Sequence, residues 1–143
     1  MLVYNKYLKE LGYKKSDFPF DRTEKKDSRY GLDKTTGTVE AQTWNLYITI
    51  VLELYTYMRD FQDHYMKLGL PGPFIDKKDG EKEYHQVVQD IIDGLRASIE
   101  VRDLFASDFG NDWEAYRKAC DEYYKKFDKG WKLLGKYLDC FWW

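Results

Sequence analysis

Acidic side chains three residues apart are the first groups in this sequence that could do chemistry. Three such pairs fall within predicted helices: Asp60 and Asp63, Asp90 and Asp93, and Glu100 and Asp103. Pairs of this kind on facing helices can hold a divalent cation in the core of a helical bundle. A chain this rich in acids contains several such pairs by chance, so solvated helix faces are the favoured interpretation. We therefore assign no metal ligand.

The two histidines flank a segment rich in proline and glycine, with His64 near the end of one predicted helix and His85 near the start of the next. Beside a neighbouring aspartate, such a pair could ligate zinc or provide a base. Metal sites in bundles place a glutamate three residues before each histidine, whereas Phe61 and Lys82 occupy those positions here. We therefore expect surface histidines near helix ends, with His64 favoured beside a helix C-terminus.

Patterns for nucleophilic catalysis and phosphate binding are missing from the sequence. No serine has a Gly-x-Ser-x-Gly context, and no glycine-rich phosphate loop is present. Cys120 and Cys140 would lie about 30 Å apart along one helix, too far for a disulfide within the chain. Free thiols are typical of the cytoplasm. The sequence thus predicts no catalytic residue, no cofactor and a cytoplasmic location.

A row of lysines on the last predicted helix is one candidate binding surface. The row consists of Lys125, Lys129, Lys132 and Lys136, preceded by Lys118. Evenly spaced cations could follow the phosphates of a nucleic acid or a nucleotide. Asp121 and Glu122 interrupt or border the row, so an ordinary solvated outer face is the competing interpretation.

Three consecutive rings, Phe141, Trp142 and Trp143, form a second candidate surface. Consecutive side chains on a helix point in different directions, so at least one tryptophan is expected to be exposed unless something covers it. Packing against the protein's own N-terminal segment is one interpretation. An interface with a second subunit or another protein is the other.

The elements that would position these residues follow from the spacing of apolar side chains. Residues 1–12 are predicted as a short helix with Gly12 as its C-terminal cap, and residues 13–42 as a long irregular segment. Residues 43–140 are predicted to hold three long helices, the first two separated by prolines and glycines near position 71. We therefore predict a mainly α fold, an antiparallel helical bundle in one domain spanning residues 1–143.

Bulky residues at helical spacing are expected to face the core of this bundle. On the first long helix they are Trp44, Val51, Met58 and Tyr65, with Tyr47, Leu54, Phe61 and Leu68. On the second they are Tyr84, Val88, Ile91, Leu95 and Ile99, and on the third Trp113, Cys120, Phe127, Leu134 and Phe141. Gly94 is expected to weaken its helix slightly, and Asn111 or Asp112 to cap the last one.

Composition narrows the class of protein without naming a partner. The 143 residues are 43% hydrophobic and 18% aromatic, with a net charge of −2. Residues 40–111 carry seven basic and thirteen acidic side chains, too mild an excess for a mimic of DNA, and no segment is strongly basic. The longest apolar run is far shorter than the roughly 20 residues of a membrane span, so no membrane contact is expected.

Four short blocks of the sequence carry a resemblance to a known group of proteins. They are Arg29–Asp33, Thr43–Leu46, Gly69–Gly72 and Gly130–Trp142. Over about the last 115 residues the chain resembles a group of small uncharacterised proteins of tailed bacteriophages and prophages. The resemblance implies a phage accessory protein acting in an infected bacterial cytoplasm, and it implies no activity.

Our leading hypothesis is a non-enzymatic binding protein that meets a host protein, a phage protein or a second copy of itself through aromatic surface. Its candidate binding residues are Arg29, Tyr30, Trp142, Trp143, Lys125, Lys129, Lys132 and Lys136. One alternative is a nucleotide or nucleic-acid binder that combines stacking rings with the lysine row. Another is a metal-dependent hydrolase with its site in the bundle core.

Overall fold

In the computed structural model, which describes residues 2–18 and 45–141, the chain is mainly helical. Five α-helices are present in these ranges, with no strand among them: α1 Lys6–Glu10, α2 Leu46–His64, α3 Gly72–Ile75, α4 Gly80–Glu100 and α5 Trp113–Tyr137. The helices α2, α4 and α5 are long, with 19, 21 and 25 residues. The predicted class is confirmed, including the three long helices and the short N-terminal one.

The chain divides into two compact units, Met1–Thr56 and Tyr57–Trp143, and the boundary falls within α2. The first unit holds α1 and the first part of α2, and the second holds everything from the remainder of α2 onward. The single domain predicted from the sequence stays a prediction. Most of the predicted irregular segment, from position 19 on, lies outside the described residues.

Helix α1 has a cap at each end. The side chain of Asn5 accepts hydrogen bonds from the backbone N–H groups of Tyr7 and Leu8 at 3.0 and 3.2 Å. Beyond the other end, Gly12 has a φ of +88°, which a residue without Cβ adopts at little cost. Its N–H donates to the carbonyl oxygen of Lys9 at 3.0 Å. Gly12, directly after the C-cap Leu11, is thus the glycine that ends the helix where the sequence predicted.

Helix α2 buries a narrower set of side chains than the sequence indicated. Its buried apolar residues are Val51, Leu52, Tyr55, Met58 and Phe61. The prediction was right for Val51, Met58 and Phe61 and wrong for Tyr47, Tyr65 and Leu68, which are exposed. Leu54 is half-buried, and Trp44 lies outside the described residues. Leu68 lies in a 3-10 turn after the helix, where α-helical spacing no longer applies.

Helices α4 and α5 form an antiparallel pair in the second unit. All five α4 residues predicted to face inward are buried, and they are Tyr84, Val88, Ile91, Leu95 and Ile99. The pair is closest at Gly94 and Gly130, where a Cβ built on Gly94 would stand 2.8 Å from the Cα of Gly130. Asp90, one turn earlier on α4, binds Lys129 of α5 at 2.7 Å. Positions near 90 and 94 therefore face positions near 130 and 126, which fixes the antiparallel register.

The buried face of α5 differs from the predicted one. Among its 25 residues, Gly130, Leu134 and Tyr137 are buried, so the prediction was right for Leu134. It was wrong for Trp113, which is 66% exposed, while Cys120, Phe127 and Phe141 are half-buried. A strict repeat of seven drifts by about 20° per heptad around a straight helix, so its ends leave the buried side. Glycine adds no hydrophobic signal, which hides the true centre of the contact at Gly130.

Candidate binding surface at the start of α5

The acidic pairs singled out in the sequence act as hydrogen-bond acceptors on helix surfaces. Asp90 accepts from Gln86 at 3.0 Å as well as pairing with Lys129, and Asp93 accepts from Gln89 at 2.8 Å. Within the two described ranges, no three His, Cys, Asp or Glu side chains converge where they could hold a metal ion. Asp90 and Asp93 therefore bind other side chains along α4, and Asp90 also links α4 to α5.

The two histidines have different surroundings. The Nδ1 of His64 lies 3.1 Å from a carboxylate oxygen of Asp60, one turn earlier on α2. His85 lines an open groove of about 300 Å³ between the end of α2 and the start of α4. The other residues of this groove are Gln62, Asp63, Met66, Lys67, Gly69, Leu70 and Glu81. Charges of both signs are mixed along it, so the groove favours no ligand of one charge.

Both cysteines are free thiols, as the sequence predicted, and both are half-buried. Burial, helped by the neighbouring carboxylate of Asp139, raises the pKa of the Cys140 thiol above its usual value. A thiol held in its protonated form is a poor nucleophile. On α5, a hydrogen bond to Cys120 raises the pKa of the Tyr116 hydroxyl. These thiols support packing and local hydrogen bonding.

The predicted lysine row is divided among intramolecular partners. Lys125 binds Glu122 at 2.7 Å, which raises the pKa of the lysine, and Lys129 binds Asp90. The ammonium of Lys136 lies 4.9 Å from the centre of the Tyr137 ring. Lys132 is exposed. Three of these four lysines are thus already engaged, which weakens the row as a track for phosphates. The other candidates, Arg29, Tyr30, Trp142 and Trp143, lie outside the described residues.

Four rings lie on the α4–α5 connection and the first turn of α5, two of them exposed and two half-buried. We call this group the aromatic surface, and it consists of Phe105, Phe109, Trp113 and Tyr116. Phe105 is 63% exposed and Trp113 is 66% exposed. Tyr116 stands between two of the rings, with its centroid 6.0 Å from that of Phe109 and 5.9 Å from that of Trp113. The Trp113 and Tyr116 rings meet edge to face, at 85°.

Hydrogen bonds on both sides of the connection hold this aromatic surface in place. A carboxylate oxygen of Asp108 accepts from the N–H of Phe105 at 2.8 Å, which fixes a 3-10 turn over Ala106–Phe109. Asp112 accepts from the N–H groups of Glu114 and Ala115 at 3.0 and 3.1 Å, so it is the N-cap that the sequence proposed. The rings therefore stand on capped, hydrogen-bonded backbone.

Sequence reasoning missed the aromatic surface because Trp113 fitted the stripe assigned to the core. Two signals could have found it. Trp113 directly follows the N-cap Asp112, and the first turn of a helix projects beyond the segment that packs on a neighbour. Phe105 gave a second signal, since it lies in a polar connection with no helical partner in the sequence pattern.

Comparison of the chain with protein-family models, with curated proteins and with solved structures found no match. In the described part of the chain, no helix combines the length and the apolar character needed to cross a membrane.

Proposed function

We propose that this protein is a non-enzymatic binding protein that recognises a protein partner through the aromatic surface at the start of α5. The observation that carries the proposal is Trp113, which is 66% exposed while its ring is held edge to face against Tyr116. Tryptophan and tyrosine dominate the energetic centres of protein interfaces because they bury large areas with few torsions to order.

The size of the rings sets the scale of what binding could gain. An aromatic side chain buries about 150–250 Å² in an interface or core. At about 25 cal/mol per Å², covering most of Trp113 and Phe105 would contribute several kcal/mol before the costs of association. Because the Trp113 ring already packs against Tyr116, this side chain loses little further conformational freedom on binding. A preformed surface of this kind suits a recognition role.

We further propose a phage setting, in which the protein acts as an accessory or host-interaction factor in the cytoplasm of an infected bacterium. This part rests on the resemblance of the four sequence blocks. Trp142 and Trp143, with Arg29 and Tyr30, remain proposed contributors to binding.

The test immobilises three forms of the protein on a support, exposes each to a bacterial lysate and compares the proteins that each captures. The three forms are the unaltered chain, Trp113→Ala and Tyr57→Ala. Tyr57 is the matched control, because it is 67% exposed and lies on a different helix. We expect the Tyr57 variant to retain the captured proteins and the Trp113 variant to lose them. A further form lacking Trp142 and Trp143 tests those two rings in the same way. If both variants are folded and capture the same proteins in equal amounts, the aromatic surface is excluded as the binding site.

A further inference from the structure

Three large apolar side chains on one side of α5 and of the 3-10 turn that follows it are exposed. Trp113, Tyr124 and Leu138 are 66%, 53% and 59% exposed. At 100° per residue, the three lie within about 40° of one another around the helix axis. Trp113 and Tyr124 thus continue the aromatic surface along the first half of α5, whereas Trp131, five turns after Trp113 and at the same angle, is half-buried.

Charge is separated along the same stretch of chain. Residues 100–114 contain five acidic side chains and one arginine, whereas residues 123–137 contain five lysines and one aspartate. Of these side chains, Glu114 near the start of α5 and Lys125 and Lys132 further along it are exposed on α5, whereas Lys129 is turned towards Asp90 of α4. A surface of this kind is complementary to itself when two copies meet in opposite directions, because each acidic end then lies over the other's basic end.

We propose that the partner of this face is a second copy of the chain, with the two α5 helices antiparallel about a two-fold axis. The proposal rests on the proposed function, since it takes the aromatic surface to be a binding surface and names its occupant. Trp113 of each copy packs near the basic end of the other, and the two Tyr124 rings meet close to the axis.

Two pairs of charged positions on α5 fit one register for this pairing. Glu114 and Lys132 are 18 residues apart, which is five full turns, so they lie on the same side of the helix. An axis passing near position 123 places each Glu114 opposite the second copy's Lys132. The same axis places each Asp121 opposite the second copy's Lys125, which binds Glu122 within its own chain. All of these side chains are exposed.

Sedimentation or light scattering across a dilution series tests the pairing. We expect a monomer–dimer equilibrium for the unaltered chain, weakened when salt rises from about 0.1 M to about 1 M, because the Debye length falls from about 10 Å to about 3 Å. Trp113→Ala should raise the dissociation constant at least about tenfold, because each dimer loses two large buried rings. Tyr57→Ala should leave it unchanged.

Charge reversal identifies the register. Glu114→Lys and Lys132→Glu should each weaken self-association about tenfold, since each places two pairs of like charges in the dimer. A mixture of the two variants should recover the affinity of the unaltered chain, because one mixed dimer contains two opposite-charge pairs. Lys82→Glu, on α4, is the control and should have no effect.

Two outcomes would overturn this proposal, and they differ from failure of the proposed function. One is an unaltered chain that stays monomeric at every concentration. The other is a mixture of Glu114→Lys and Lys132→Glu that recovers nothing while both variants keep their helical circular dichroism. If capture from a lysate still depends on Trp113 in either case, the surface binds a different protein. If capture does not depend on Trp113, the proposed function fails as well.

Discussion

Gly94 on α4 and Gly130 on α5 lie so close that a methyl group on either would enter the other helix. A Cβ on Gly94 would stand 2.7 Å from the carbonyl oxygen of Lys126 and 2.8 Å from the Cα of Gly130. A Cβ on Gly130 would stand 2.9 Å from the Cα of Gly94. The obstructing atoms belong to the backbone, so no side-chain rotation can relieve the contact. The two helices therefore meet backbone to backbone.

Gly94→Ala should lower the free energy of unfolding by about 1–3 kcal/mol, because overpacking a close helix contact displaces backbone. Helix propensity alone would favour alanine by about 1 kcal/mol, so the expected sign is opposite to that of an exposed helical glycine. Gly135→Ala is the control. A Cβ there meets nothing within 4 Å, and the change should stabilise the protein by about 0.5–1 kcal/mol. Urea unfolding of both variants measures the difference, and stabilisation by both would contradict the close contact.

The sequence predicted the helices well because their apolar spacing is strong. The five inward positions on α4 were all right, as was Gly12 beyond α1. Local capping was predictable too, since an acidic side chain before a helix satisfies free N–H groups whatever the rest of the fold does. These features depend on neighbours within a few residues.

Features that depend on the approach of distant elements were not predictable in the same way. Gly94 looked like a simple weakness in α4, because its function depends on Gly130, 36 positions later in the chain. Trp113 looked like a core residue, because a stripe along α5 does not say where the contact with α4 ends. Lys129 looked like part of a free basic row, but it reaches across to Asp90.

Asp112→Ala should lower the free energy of unfolding by about 1 kcal/mol. The change removes the acceptor of two N–H groups in the first turn of α5, at Glu114 and Ala115. Asp112→Ser is the control, since a serine hydroxyl can accept the same hydrogen bonds and should recover most of the loss. Thermal unfolding followed by circular dichroism measures both, and equal loss in the two variants would show that the cap contributes little.

Tyr84→Phe should raise the free energy of unfolding by about 1 kcal/mol. Tyr84 is fully buried, its ring lies 5.1 Å from that of Phe74, and its hydroxyl has no hydrogen-bond partner within the described residues. A buried hydroxyl without a partner costs about 1–3 kcal/mol, and phenylalanine keeps the ring while removing that cost. A loss of stability in Tyr84→Phe would contradict the interpretation that the Tyr84 hydroxyl is buried without a hydrogen-bond partner. Tyr84→Ala, which removes the ring, should cost about 3–5 kcal/mol.

The same hydroxyl should make stability fall in alkaline solution. Burial, followed by the nearby Cys140, raises the pKa of Tyr84 from 10.0 to about 12. The folded chain therefore holds this proton more tightly than the unfolded chain. The contribution of this difference to the free energy of unfolding is complete below about pH 10 and is progressively lost as pH rises towards 12. We expect a loss of roughly 1–2 kcal/mol over that interval. Subtracting the Tyr84→Phe curve from that of the unaltered chain removes the lysines and Cys140 from the comparison, and a flat difference between about pH 9 and pH 12 would contradict the raised pKa.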